Sequence, residues 1–407
     1  MPAPRPRLAI IWLTVFIDLV GFGIVIPILP YYAEQFGAHG LKYGTLVGAF
    51  SLMQFFATAV LGRLSDRVGR RPILLTTMVL NAVGYLLFAF APSYGLLLVA
   101  RLVSGFAGGN ISAAQAYIAD ITSAEDRSKG MGLIGMAFGL GMIFGPAIGG
   151  YGILIGHAAP GLIAAGLSIL NLASAYLILS ESLRHEHRAV RSFWPFGHMA
   201  DALVHPELRP LMLVWLIAPF AFAGYTVALP LWAAATLGWH EQDLGRFFVV
   251  VGIVAALVQG GLFRVLTRLV GDRALLIAGM FGMAVAIGVV PFLAHNGTLY
   301  AWTVVLAFSN SIMSPAATGL VSTFAAANEQ GSVLGVAQSL GALGRGGGPE
   351  VVGWVYDGAS PMAAFLVAGG AMLVGWLASL GVPKSKKREQ TLPDAQARSG
   401  EQEGVNG

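Results

Sequence analysis

The sequence predicts an all-α polytopic membrane protein in which twelve transmembrane helices form two six-helix pseudo-repeats. Three observations carry that prediction. First, 56% of the 407 residues are hydrophobic and only 11% are charged, where soluble domains carry roughly 25% charged residues. Second, the apolar runs continue for about 20 residues, the length that crosses a hydrocarbon layer as a helix. Lipid admits only helices and closed barrels, and a barrel strand would alternate apolar with polar residues. Third, the two halves of the chain match each other at a constant shift of 203 residues.

Taken in order, the apolar stretches of the first half are Leu8–Leu29, Tyr43–Leu61, Pro72–Phe90, Tyr94–Ala119, Gly130–Ile155 and Gly161–Leu179. Those of the second half are Leu211–Leu237, Gly245–Phe263, Ala274–Leu293, Leu299–Phe324, Gly331–Tyr356 and Met362–Leu380. The first is too long, and too closely followed by further spans, to read as a cleaved signal peptide. The organisation expected is a six-helix half over 1–180, a polar cytoplasmic linker over 181–210, a second six-helix half over 211–382 and a disordered tail over 383–407. The linker carries His185, His187 and His198 without an acid-rich constellation, so no metal site is expected there. With no cysteine in the chain, disulfides, thiol catalysis and thiolate metal sites are excluded together.

The 24 basic residues fix an orientation. With both termini cytoplasmic, the outer loops hold only Lys42 and Arg246, and Arg101 and Arg345 lie within spans. All the others fall on inner segments, including Arg63, Arg67, Arg70 and Arg71 between the second and third spans. That asymmetry is the positive-inside pattern. The formal charge of +4 therefore reflects membrane sidedness and not nucleic-acid binding.

The repeat shows in three regions. Gly21-Phe22 and Pro27 fall on Gly224-Tyr225 and Pro230. Gly132, Gly141, Gly145-Pro146 and Gly150 fall on Gly335, Gly344, Gly348-Pro349 and Gly353. The loop from Ser123 to Ser128 falls on that from Ala326 to Gly331. Duplicated halves of this kind place substrate near the midplane between them.

The loop Gly62-Arg-Leu-Ser-Asp-Arg-Val-Gly-Arg-Arg-Pro72 is the most specific motif. A sharp turn between two spans accounts for Gly62, Gly69 and the proline that starts the next helix. Its arginines suit anionic headgroups, and Asp66 suits pairing with them or capping a helix N-terminus. An ordinary positive-inside loop would explain the arginines but not the Gly/Asp/Gly/Pro spacing. The loop resembles the motif between the second and third spans of the major facilitator superfamily. Arg101-Leu-Val-Ser-Gly105 resembles that family's arginine–glycine motif. Gly141-Met-Ile-Phe-Gly145-Pro146-Ala-Ile-Gly149-Gly150 resembles the antiporter motif of its drug-exporting branches, although glycine faces are also ordinary packing surfaces. Within the superfamily, Ile17-Asp18 through Pro27 and Pro30 looks like the first span of tetracycline/proton antiporters and related drug:proton exporters. The third and ninth spans lack the acids those exporters use, the third offering Asn81 instead.

The resemblance implies a major facilitator fold working by alternating access, with export of hydrophobic or amphipathic molecules driven by protons. It implies multidrug efflux, antibiotic resistance and residence in the plasma membrane, the inner membrane in a bacterium. Partners would be a small-molecule substrate, protons and lipids, with no cofactor, metal or nucleic acid, and function as a monomer. It also implies a conformational latch at Asp66, supported by Gly62, Arg67, Gly69, Arg70 and Arg71, and proton transfer through Arg101. A proton-coupled transporter of a sugar or organic anion is the rival, and a membrane enzyme lacks the clustered His/Asp or Ser/His groups it would need.

Depth singles out the remaining candidates. Asp18 lies near the midplane, where a charge is costly and marks function by default, an interhelical structural bond being the alternative. Arg101 either couples or snorkels outward. Arg345 and Glu350 flank a Gly346-Gly-Gly-Pro349 break in the eleventh span and either line the cavity or pair with each other. Repeat symmetry sets Met142 and Ala147 opposite them, so these charges are not part of the shared packing. Gln54, Asn110, Gln115, Gln259, Asn310 and Gln338 are polar residues that line the cavity or bond between helices.

Overall fold

The computed structural model describes residues 5–122, 127–182, 206–293, 295–324 and 330–383. The expected linker (183–205 of it), the tail from 384 and the repeated loops at 123–126 and 325–329 lie outside the described residues. Twelve long helices follow one another: α1 Arg5–Gln35, α2 Gly40–Val68, α3 Arg70–Ala89, α4 Tyr94–Ile121, α5 Arg127–Gly152 and α6 Ala159–Ile178. The second set is α7 Arg209–Leu237, α8 Glu241–Val270, α9 Asp272–Phe292, α10 Asn296–Phe324, α11 Gln330–Gly358 and α12 Pro361–Leu380. Ten are long and apolar enough to cross a membrane over their described residues, and α5 and α11 complete the twelve expected.

Local chemistry sets the helix ends. Ser93 caps α4 by accepting from Leu96 N at 3.4 Å, and Ser360 caps α12 by accepting from Ala363 N at 3.1 Å. Only Gly69 separates α2 from α3, with φ at +121°, and Gly271 at +81° does the same between α8 and α9. Side chains rarely adopt either conformation, so a glycine is required at both turns. The second-half loop has lost the aspartate of its counterpart but keeps this turn.

Each half buries its own core. One cluster runs from Leu208 to Val382. The first half has two, one around Ile24, Tyr32 and Phe88 and one around Ile11, Leu74 and Tyr117. Large apolar residues such as Leu170, Leu177, Leu366 and Leu373 point outward, as a lipid-facing surface requires.

Corresponding helices pack by glycine in both halves. On α5, a Cβ added at Gly141 would stand 2.7 Å from Leu19 Cβ, and one at Gly145 would stand 2.6 Å from Gly23 Cα. On α11, Gly344 and Gly348 lie against Leu216 and Phe220 of α7 in the same manner. One expectation is corrected here. The Gly346–Pro349 segment is no break, because α11 runs unbroken through Pro349. Its glycines serve close approach to neighbouring helices, and α5 likewise passes through Pro146.

Candidate functional site

Asp18 sits midway along α1 with a donor on each carboxylate oxygen. Asn81 Nδ2 of α3 donates to Oδ1 at 3.2 Å, and Asn110 Nδ2 of α4 donates to Oδ2 at 2.5 Å. Both asparagines are buried, and Asn110 ends the 3-10 turn Gly108–Asn110 that interrupts α4. That turn also presents the Gly108 carbonyl to Gln54 Nε2 at 3.1 Å. Asp18, Asn110 and Gln54 are thus held within the first half. One helical turn beyond Asn81, the buried Tyr85 hydroxyl lies over Gly21, within charge range of both Asp18 and Arg101.

Arg101 does not snorkel. It is 5% exposed, donates Nε to the Leu46 carbonyl of α2 at 3.1 Å, and stacks on Phe50 at 4.4 Å. A cation over an aromatic face inside an apolar bundle is held by the ring quadrupole.

Glu350 and Arg345 do not pair. Glu350 Oε2 accepts from Thr45 Oγ1 of α2 at 3.1 Å, a bond between the two halves. Arg345 points along a different face of α11, with Nη1 beside Gly341 and near Trp215. Gln338 is exposed seven residues before it, on the same helical stripe. Gln115 and Asn310 are half-buried, and Gln259 is exposed on a π turn, Val258–Leu262, inside α8.

The halves meet closely on the arginine-poor face. A Cβ at Gly48 of α2 would come 2.6 Å from the Gly346 carbonyl, and Gly44 abuts Pro349. Asp357 of α11 accepts from Leu41 N at 2.8 Å, so it caps the N-terminus of α2 across the seam. On the opposite flank, Gly150 faces Gly245 of α8 with an added Cβ 2.9 Å from its Cα. Tyr31 Oη donates to the Trp239 carbonyl at 3.1 Å, and Arg246 Nε to Tyr151 Oη at 3.4 Å. The antiporter motif is therefore divided: Gly141, Gly145 and Gly149 pack on α1 inside the first half, while Pro146 and Gly150 border the seam with α8.

On the arginine-rich face the loop motif is knitted into its own half. Arg70 pairs with Asp66 at 2.5 Å and with Asp120 at 3.3 Å, and donates to Ser65 Oγ at 2.6 Å. Glu181 accepts from the backbone N–H groups of Arg70 and Arg71 at 2.9 and 3.2 Å, capping α3. Arg71 also donates to the Tyr176 carbonyl at 2.8 Å. Gly62 lets Ser112 approach, and Arg67 lies in the last turn of α2. Sequence reading missed Asn81, Tyr85, Thr45 and Asp357. Asn81 was legible as the one polar residue at the depth of Asp18 on α3, whereas nothing in the sequence near Asp357 announces a partner at the start of α2.

The family model described as Major Facilitator Superfamily matches residues 11–349 and 211–400. Tetracycline resistance protein, class C, of Escherichia coli is 32% identical over 351 residues, covering 84% of this chain and 88% of that protein. Multidrug resistance protein 2 of Bacillus subtilis (strain 168) is 27% identical over 92% of this chain and 94% of its own length. Among solved structures, the human organic anion transporter MFSD10 (TETRAN) superposes with a TM-score of 0.73 at 25% identity, covering 93% of this chain and 100% of that one.

Proposed function

The chain belongs to the major facilitator superfamily, and from that premise we propose that it is a proton-coupled exporter of small hydrophobic or amphipathic organic molecules. Asp18 is the observation that carries the reading. A carboxylate midway along α1, deep in a span and held by two buried amides, is a group whose gain or loss of a proton changes the charge at the centre of the bundle. Asp18 is half-buried, and alternating access to the two sides of the membrane would load and unload its proton.

The seams support alternating access. The glycine contacts between α2 and α11 and between α5 and α8 gather on the arginine-poor face, which the charge count makes external. We read this as the state closed outside, with the cargo space between the halves reached from the cytoplasm. The likeness to tetracycline and multidrug resistance proteins supports export as the direction.

Purified protein in proteoliposomes with an imposed proton gradient tests the proposal against a panel of tetracycline, ethidium and aromatic carboxylates. Gradient-driven movement of at least one class is expected, and Asp18→Asn is expected to remove it while expression and folding persist. Movement that ignores the gradient overturns proton coupling, and full coupling in the Asn variant removes Asp18 from the mechanism.

A further inference from the structure

Among the described residues, every deep charge except one has a partner. Asp18 has two amides, Arg101 has a carbonyl and a ring, and Glu350 has a hydroxyl. Arg345, near the middle of α11, has no hydrogen bond or ion pair to any of the described residues. A guanidinium presents five N–H donors and keeps its charge. Arg345 is part exposed, so its donors stay open to water or cargo, and an unpaired charge at that depth in a span marks a functional site.

Its direction is set by the two packing faces of its helix. Gly344 and Gly348 commit one face of α11 to Leu216 and Phe220 of α7. Gly346, Glu350, Gly353 and Asp357 commit another to α2. Val351 and Trp354 are exposed on the opposite side of α11 and mark its lipid side, so Arg345 lies between the packing faces toward the interior between the halves. The position of a Cβ on Gly341 is 3.4 Å from both Arg345 Nη1 and Trp215 Cε3, so guanidinium and indole flank the same glycine. The Trp215 Nε1–H is itself buried without an acceptor. Leu52 of α2 packs on Gly346, the residue next to Arg345, and adds an apolar wall from the other half.

We propose that Arg345, beside Trp215, is the anion subsite of the cargo space, and that the cargo carries a carboxylate, sulfonate or phosphate next to an aromatic or aliphatic body. The planar guanidinium grips two oxygens of such a group at once, and the indole and Leu52 cover the apolar part. The inference rests on reading the interior between the halves as the cargo space, and it is independent of proton coupling.

Thermal unfolding of the purified full chain in detergent tests it with three probes: 2-naphthoate, the uncharged 2-naphthamide and phosphatidylglycerol. A ligand that binds the folded state raises Tm. Naphthoate is expected to raise Tm and naphthamide to leave it unchanged, a comparison that needs no variant to fold. Arg345→Gln is expected to weaken the naphthoate effect at least tenfold, and Arg345→Lys to recover part of it, since a point charge lacks the fork. Equal stabilisation by naphthoate and naphthamide, or an undiminished naphthoate effect in Arg345→Gln, overturns the subsite. Stabilisation through Arg345 by phosphatidylglycerol alone assigns the residue to a lipid headgroup and overturns the cargo assignment. Gradient-driven ethidium export without naphthoate binding sinks only this inference, while naphthoate binding without any gradient-driven transport sinks only the exporter reading.

Discussion

At the scale of single residues, depth in a span is readable and partnership is not. Asp18 and Arg101 stand out because a charge amid some twenty apolar residues has no cheap explanation. Who holds them depends on residues 51 to 92 positions away, Phe50 and Leu46 for Arg101 and Asn81 and Asn110 for Asp18. Asn81 read as the absence of an acid, when it is a donor to one. The shorter bond predicts unequal roles for the two amides. Asn110→Ala leaves Oδ2 without its 2.5 Å donor, and a hydrogen bond to a charged group is worth about 1.5–3 kcal/mol. It is expected to cut gradient-driven transport by an order of magnitude or more. Asn81→Ala, which removes a 3.2 Å bond, is expected to cost less. Initial rates in proteoliposomes at matched protein content check the ranking, and equal rates in both variants and the parent would leave Asp18 without functional support from either amide.

At the scale of the helix, glycine patterns announce close packing but not the partner. The repeat at Gly141, Gly145 and Gly149 looks the same whether it faces a neighbour in its own half or slides against the other half. The structure separates these cases, and the separation gives opposite expectations for similar substitutions. Gly145→Val drives side-chain atoms into the Gly23 backbone of α1, 2.6 Å from an added Cβ, inside one rigid half. Overpacking of that kind costs about 1–3 kcal/mol, so a lower Tm is expected with the conformational balance unchanged. Gly245→Val meets Gly150 Cα at 3.0 Å and the Pro146 carbonyl at 3.1 Å, across the seam between the halves. It is expected to part the halves on the arginine-poor face with little loss of Tm. Unfolding curves, together with spin-label distances across that face, check both. A collapse of Tm in Gly245→Val with unchanged distances would make the α5–α8 contact a fixed packing surface.

At the scale of the whole molecule, the twelve helices and their duplication were legible because lipid forces each span to satisfy its own backbone. The seam was not, because it joins residues as distant as Leu41 and Asp357. Two aspartates stand at opposite faces of the bundle. Asp357 caps α2 across the halves on the arginine-poor face, where it favours the state observed. Asp66, on the arginine-rich face, spends this state paired with Arg70 in its own half. The latch that the family resemblance implies would engage Asp66 only when that face closes. Each substitution then acts on one side of a single equilibrium. Losing a cap costs about 1 kcal/mol, which is about a fivefold change in population. Asp357→Asn is expected to lengthen label distances on the arginine-poor face, and Asp66→Asn to sharpen the short-distance population there and slow turnover. The two sites sit at opposite ends of the bundle and share no partner, so their effects should add. The Asp66→Asn/Asp357→Asn protein is therefore expected to return close to the parent distribution. A double variant that matches Asp357→Asn alone would show that Asp66 carries no weight in the balance, and would confine its role to tying α2 to α3 through Arg70.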